Sequence, residues 1–271
     1  MASFMEKIGL IAGNRKFPIL FAQAARKRNH SVVAVAVKGD TSTRLRLFVD
    51  KIYWVGLNEF WKLAEIFKDE GVKKVVMAGQ ISPRRLFSKE VRKDKDLKKL
   101  LDSIRDNKAD TIFGAIAQKL KDTGFELMDS TTFMEEYMPK RSVLTKREPD
   151  FLEWEDIYFG FGLAKTIGYF DIGQTVAVKG KAVVAVEALE GTDNLIRRAA
   201  KIAGSGVVII KASKPKQDLR FDIPVIGLNT IKNIVKSGCS CLAFEAEKTL
   251  FIDKEAAVRL ADRKGIAIAA A

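Results

Sequence analysis

Hydrophobic spacing along the chain changes period several times, and each change marks a predicted element. Residues 7–13 (KIGLIAG) form a short apolar run that predicts a buried strand. Gly13, Asn14, Arg15 and Lys16 then make a turn. Phe17-Pro18 opens a helix running to about Asn29, with Pro18 at a first-turn position where its missing N–H is not needed. SVVAVAVKG (Ser31 to Gly39) is a continuous β-branched run, the signature of a central parallel strand. KIYWVG (Lys51 to Gly56) predicts another strand. Leu57 to Gly71 has amphipathic spacing, with Phe60, Leu63, Ala64 and Phe67 on one face and Gly71 as a C-terminal cap. VKKVVMAG (Val72 to Gly79) is a further strand, followed by the turn Gln80-Ile81-Ser82-Pro83. Helical patterns cover roughly 96–106 and 109–123, with Asp110 near the start of the second. Gly124 breaks it, and FELMDST (Phe125 to Thr131) reads as the last strand of this half. Trp54 and Trp61 read as core.

Periodicity lapses between Tyr137 and Arg147, so a domain boundary is expected there, giving residues 1–138 and 139–271. The second part begins with a helix over about Pro149 to Gly168, carrying Trp154 and Phe161. Thr175 to Leu189 splits around Lys179-Gly180-Lys181 and predicts a hairpin. A helix follows to about Gly204, with Thr192 and Asp193 as N-cap residues. GVVIIKAS is a strand, Pro215 to Arg220 an exposed polar loop, and Ile223 to Gly227 a short apolar strand. CLAFEA, LFID, a helix from about Asp253 to Lys264 and a terminal IAIAAA strand complete an α/β pattern.

At 271 residues, 47% of them apolar and 30% charged, the chain suits a globule with a sizeable core. It lacks the roughly 18-residue apolar run of a membrane span. Its amino terminus lacks the features of a signal peptide, so a cytoplasmic location is expected. Cys239 and Cys241 are too close in sequence for an easy disulfide and too few for a zinc site. They read as inert strand residues. His30, the single histidine, follows Arg26, Lys27 and Arg28 at a helix end, where a cation is favourable. A Ser-His-Asp machine would have to use it, and multi-histidine metal sites are excluded. Hydrolysis would then rest on carboxylates, lysines and a hard ion such as magnesium.

The net charge is +13. This favours nucleic acid, acidic headgroups or phosphorylated metabolites as partners, or reflects solubility and a lysine-rich, heat-adapted composition. The most basic stretch, 84–99, reads as a solvated helix face, or as a patch for anionic lipid with Leu86 and Phe87 as apolar contacts. Gly13 and Gly79 end parallel strands, where open α/β sheets bind ligands, although there is neither a GxGxxG nor a Walker pattern.

Candidate chemistry concentrates in residues 171–227. Glu187, Glu190, Asp193, Asp218 and Asp222 alternate there with Lys211, Lys214, Lys216 and Arg220, near tight glycine turns. Such mixtures suit phosphate chemistry: cations neutralise phosphate oxygens while carboxylates hold magnesium or orient water. Solvated loop charge is the alternative.

The ordered set GLIAG-x(3)-FP, MAGQIS, FDIGQ, AVEALEGTD and K-x-x-KPKQDLRFDIPVIG resembles the LpxI family of UDP-2,3-diacylglucosamine pyrophosphatases over nearly the whole chain. The resemblance implies a Rossmann-like N-terminal domain and a distinct α/β C-terminal domain, with the substrate cleft between them. It implies hydrolysis of UDP-2,3-diacylglucosamine to UMP and 2,3-diacylglucosamine 1-phosphate (lipid X), in lipid A biosynthesis, with Mg2+. Asp222 is implied as the essential aspartate, a metal ligand or water-orienting group. Gly13, Phe17, Gly79, Gln80, Gln174, Glu190, Gly191, Thr192, Asp193, Lys211, Gln217 and Asp218 fall in the matching motifs as substrate-binding positions. Asn14, Arg15 and Lys16 stand where such families are often richer in glycine. The implied partner is the lipid at the inner leaflet, met peripherally, and no nucleic acid; room is left for a homodimer. A non-enzymatic nucleotide or anionic-lipid binding module is the alternative. A dinucleotide-dependent oxidoreductase is a third, weakened by the missing GxGxxG.

Overall fold

The computed structural model describes residues 5–59, 62–80 and 109–271. By compactness the chain forms two units. One takes the residues up to Met134 together with Asp218–Asp222; the other takes Glu135–Gln217 and Ile223–Ala271.

In the first unit β1 (Lys7–Ala12), β2 (Ser31–Val37), β3 (Lys51–Val55), β4 (Lys74–Ala78) and β5 (Glu126–Leu127) form one sheet, in the order β3-β2-β1-β4-β5. Every neighbouring pair is parallel. The apolar runs of β1 and β2 are buried almost throughout, as strands covered on both faces must be. Ile11, Val33, Val35, Val75 and Met77 point to the face where Leu63 and Phe67 of α2 (Lys62–Asp69) and Ile112, Ile116 and Leu120 of α3 (Ala109–Asp122) close the core. The helix α1 (Phe17–Lys27) packs on β1, β2 and β4 through Phe17, Phe21, Ala22 and Ala25.

The second unit has a mixed six-stranded sheet, ordered β6-β13-β11-β9-β7-β8. Its strands are β6 (Ser142–Val143), β7 (Thr175–Lys179), β8 (Ala182–Val186), β9 (Val208–Lys211), β11 (Cys241–Phe244) and β13 (Ala267–Ala270). β9, β11 and β13 run parallel, while β6, β7 and β8 join antiparallel. A separate parallel pair joins β10 (Val225–Gly227) to β12 (Leu250–Ile252). Alternation sorts the side chains by face. Val176, Val178, Val208, Ile210 and Ala243 meet Ile157 and Ala164 of α4 (Phe151–Tyr169). Ala177, Ile209, Leu242, Phe244 and Ile268 meet α5 (Thr192–Ala203), α6 (Leu228–Lys236) and α7 (Lys254–Lys264) through Leu195, Ile196, Ala199, Ile231, Ile234, Ala257 and Ala261.

The helix α4 starts with a full capping box. Asp150 accepts from the Glu153 N–H, and the Glu153 carboxylate returns to the Asp150 N–H. The hairpin turns on Gly180 and Lys181, both at φ 58°. Their amides donate to the Asp156 carboxylate on α4, at 2.9 and 2.5 Å. Among the described residues, no helix is long and apolar enough to cross a membrane.

Several expectations are corrected. The segment from Leu57 begins as a 3-10 turn (Leu57–Glu59) before α2, and Trp54 is half-buried because β3 is the sheet's edge. The strand expected over Phe125–Thr131 shrinks to two residues, with β4 pairing it on one side. The elements β6 and α6 are new. In α6, Thr230 Oγ1 accepts from the Gly227 N–H at 3.3 Å and starts the helix. Residues Gln217 to Arg220 are half-buried rather than exposed, since Asp218–Asp222 packs with the first unit. The end of α1 is closed by backbone: the His30 N–H reaches the Ala25 carbonyl at 3.1 Å. The His30 ring stacks on Phe133 at 4.8 Å instead of capping. Cys239 and Cys241 are free and buried; burial pushes the Cys239 thiol up to about 11 and raises Cys241 as well. Cys241 opens β11 and Cys239 precedes it. The basic stretch 84–99 with Leu86 and Phe87, the helical pattern over 96–106, Phe60 and Trp61 lie outside the described residues.

Candidate functional site

Within the first unit the strand order reverses between β1 and β4. The loops that leave their carboxyl ends therefore lie side by side, at the place where open parallel sheets take ligands. Gly13 donates its N–H to the Ala78 carbonyl at 2.8 Å, and Asn14 donates to the Gln80 carbonyl at 2.7 Å. The two backbones approach so closely that a Cβ on Gly79 would sit 2.5 Å from the Asn14 carbonyl oxygen, and one on Gly13 would sit 2.5 Å from that of Gln80. Gly79 also has φ +86°, which L side chains rarely adopt. Asn14 Oδ1 is buried and accepts no hydrogen bond among the described residues. Gln80 is exposed. Phe17, which opens α1 after this loop, is buried, at 5% exposure.

Asp218–Asp222 belongs to the same unit. Phe221 packs on its core, and the Leu219 carbonyl accepts from the N–H and the hydroxyl of Ser130, at 2.8 and 2.7 Å. The Asp222 N–H donates to the Asp218 carbonyl at 2.9 Å, closing one helical turn. The Asp218 carboxylate is taken by Arg220 in a bidentate pair, 2.9 and 2.6 Å. The Arg220 hydrogen bonds hold its pKa below the usual carboxylate range, against partial burial. Asp222 is half-buried one residue before the chain returns to the second unit.

The second unit gathers another set of motif residues where β9 and β8 end and β7 begins. Register explains the meeting: Thr175 pairs with Lys211, and the Glu187 N–H donates to the Thr175 carbonyl. Lys211 is 5% exposed and Glu187 7%. Lys211 Nζ donates to Thr192 Oγ1 at 2.8 Å, and Thr192 Oγ1 donates to Glu187 Oε1 at 2.8 Å. The Gln174 N–H reaches Glu187 Oε2 at 3.4 Å. Gln174 Oε1 is buried and accepts no hydrogen bond among the described residues.

The expected N-cap role of Thr192 and Asp193 is not found. Gly191, at φ +79°, is the N-cap, and both residues lie in the first turn of α5. Thr192 gives its hydroxyl to the buried carboxylate, a stronger acceptor. Asp193 is half-buried where its charge suits the helix dipole. Glu190 is exposed and braces its own loop. It pairs with Arg198 at 2.5 Å and accepts from the Ala188 N–H at 3.1 Å. Burial opposes its charge, but these donors lower its pKa. Gln217 Oε1 accepts from the Lys214 N–H at 2.7 Å.

Sequence reading assigned no role to Lys165, Asp171, Ser213 or Glu245; Lys165, Ser213 and Glu245 form a second polar group at this end of the sheet, and Asp171 pairs with the adjacent Lys214. No motif carries Lys165 or Glu245; the packing of α4 on the sheet brings Lys165 to Glu245, which follows β11.

Among the described residues, no group of three or more His, Cys, Asp or Glu could hold a metal ion. Asp218, Glu187 and Glu190 are committed to Arg220, Thr192 and Arg198. Magnesium often takes one or two carboxylates and completes its shell with substrate phosphates and water.

Comparison with known proteins agrees across the chain. The model of the LpxI N-terminal domain matches residues 7–137, and that of the LpxI C-terminal domain matches 140–269. The UDP-2,3-diacylglucosamine pyrophosphatase LpxI of Caulobacter vibrioides is 32% identical over 273 residues, covering 97% of this chain and 96% of its own. Among solved structures, the biotin carboxylase domain dimer of Hydrogenobacter thermophilus 2-oxoglutarate carboxylase is 13% identical, with TM-score 0.29, over 74% of this chain and 43% of that one. Similarity that loose carries no argument about fold or chemistry.

Proposed function

The chain belongs to the LpxI family, and from that membership we propose that it hydrolyses UDP-2,3-diacylglucosamine to UMP and 2,3-diacylglucosamine 1-phosphate, a step of lipid A biosynthesis. The observation that carries the reading is full-length identity of 32% to a pyrophosphatase of that name.

In this reading the first unit is a Rossmann-like half. Its loops at Gly13 and Gly79 receive the nucleotide end, with Gln80 at their rim and Phe17 as support. Gln174, Gly191, Thr192, Asp193 and Lys211 supply a second polar edge for substrate, and Gln217 and Asp218 shape the chain on either side of the transition to Asp222. Asp222 orients the attacking water. The water oxygen bonds to one phosphorus and loses a proton to solvent, and the bridging oxygen departs with the bond's electron pair on the other phosphate. Magnesium is the proposed ion; held by Asp222, it would supply neutralisation of the phosphate charge. The net charge of +13 supports peripheral docking from the cytoplasmic side on the anionic inner leaflet, where a two-acyl substrate lies.

Purified protein incubated with UDP-2,3-diacylglucosamine and magnesium should release UMP. No UMP above a protein-free blank overturns the proposal. Salt-sensitive lipid binding without turnover, unchanged in Asp222→Ala, would replace it with a binding module.

A further inference from the structure

Ser213 is 2% exposed, and its N–H and hydroxyl both donate to Glu245 Oε2, at 2.8 and 2.6 Å. Lys165, from α4, donates to the same oxygen at 2.5 Å and to the Ser213 carbonyl and hydroxyl oxygens at 3.0 and 3.1 Å. Lys248 pairs with Glu245 Oε1 at 3.0 Å. One residue further on, Lys214 Nζ meets Asp171 Oδ1 at 2.6 Å, with the side chains 11% and 19% exposed. Gln217 closes the turn back to Lys214, through its side chain at 2.7 Å and its N–H at 3.1 Å.

Shielded ion pairs recover their desolvation cost poorly, so stability alone is a weak reason for two of them around the one short segment 213–217. Their product is a fixed backbone path over residues 213–217. Directly after Gln217 the chain leaves the second unit, and it returns at Ile223. The return is also held: the Leu250 N–H donates to the Pro224 carbonyl at 2.9 Å. Between the two anchors lies Asp218–Asp222.

We infer that Lys165 and Glu245 are positioning residues for Asp222, fixing through Ser213 the point from which the segment carrying it departs. The kinetic consequence rests on the hydrolase reading; the anchoring does not.

The test compares Lys165→Met, Lys165→Arg and Glu245→Gln with the wild-type protein, by UMP release and by amide hydrogen exchange. Lys165→Met and Glu245→Gln should lower kcat about ten- to a hundredfold with KM within about threefold, the usual effect of loosening the support of a reacting group. Lys165→Arg keeps the donor and should recover most of kcat. Faster exchange should be confined to residues 213–222. Unchanged kcat in both disruptive variants, or exchange raised evenly over the second unit, overturns the positioning role. If Glu245→Gln does not fold, Lys165→Met, which trims a side chain that is 34% exposed, carries the same test. A wild-type protein that releases no UMP defeats the hydrolase reading, and the exchange pattern then decides the anchoring alone.

Discussion

Lys211 and Glu187, both buried at the ends of β9 and β8 in the six-stranded sheet, are joined through the one hydroxyl of Thr192. The hydroxyl accepts from the ammonium and donates to the carboxylate, so each charge keeps a partner without direct contact. Thr192→Val preserves shape and deletes both bonds. Leaving charged groups short of a partner should cost about 1–3 kcal/mol, read as a lower urea midpoint, while Thr192→Ser stays near wild type.

Asp222→Ala should keep the circular dichroism spectrum and lose at least about two orders of magnitude in UMP release, as removal of an activating group does. Asp222→Asn is the companion: it keeps the shape of the side chain without its charge and should be similarly slow. Near-full turnover in either variant would remove Asp222 from the chemistry.

The crossing of the two glycine loops in the first unit makes Gly79→Ala a severe change. The new methyl meets the Asn14 carbonyl, at a backbone angle unfavourable to alanine. A loss of about 1–3 kcal/mol is expected, measurable by chemical denaturation followed by circular dichroism.

Glu245 yields a pH prediction. Burial opposes its charge, but Lys165, Ser213 and Lys248 outweigh it, and its pKa falls from 4.5 to about 2. A carboxyl whose folded pKa is depressed gives stability that is fully present above the unfolded value and lost as pH falls through the folded one. The contribution, at most about 3 kcal/mol, should therefore disappear between pH 4.5 and about 2. Denaturation midpoints of Glu245→Gln should show a shallower decline than wild type in that window. Parallel curves would assign the acid sensitivity elsewhere.

Both thiols are buried and of raised pKa. Native protein at pH 8 should react with Ellman's reagent far more slowly than urea-unfolded protein, which should release two equivalents. Prompt labelling of the native form would contradict the burial.

Much of the fold was legible because burial on both faces writes unbroken apolar runs, as in β1, β2 and β4, and because Lys179-Gly180-Lys181 is a strong hairpin signal. The helix α6 was missed although Leu228, Ile231, Ile234 and Val235 keep helical spacing; Asn229, Asn233 and Ser237 dilute it with weak helix formers. At the candidate site, the motif residues Gln174, Thr192 and Lys211 could be picked out, but their connection through Glu187 could not. Capping rules read Thr192 correctly as a residue near a helix start, yet a buried carboxylate competes for its hydroxyl. Lys165 and Glu245 come from distant elements, and their pairing exists only once α4 packs on the sheet beside the end of β11. The return of Asp218–Asp222 to the first unit leaves no local trace, since long-range packing has no period.

That return has a consequence for synthesis. A ribosome that has delivered residues 1–138 has not yet delivered Phe221, which packs on the core of the first unit. The amino-terminal unit must therefore wait, incomplete, while more than eighty further residues emerge. Expressing the two halves as separate polypeptides would strand five residues of one inside the other, so the gene cannot be cut at its apparent seam without leaving both products unfinished.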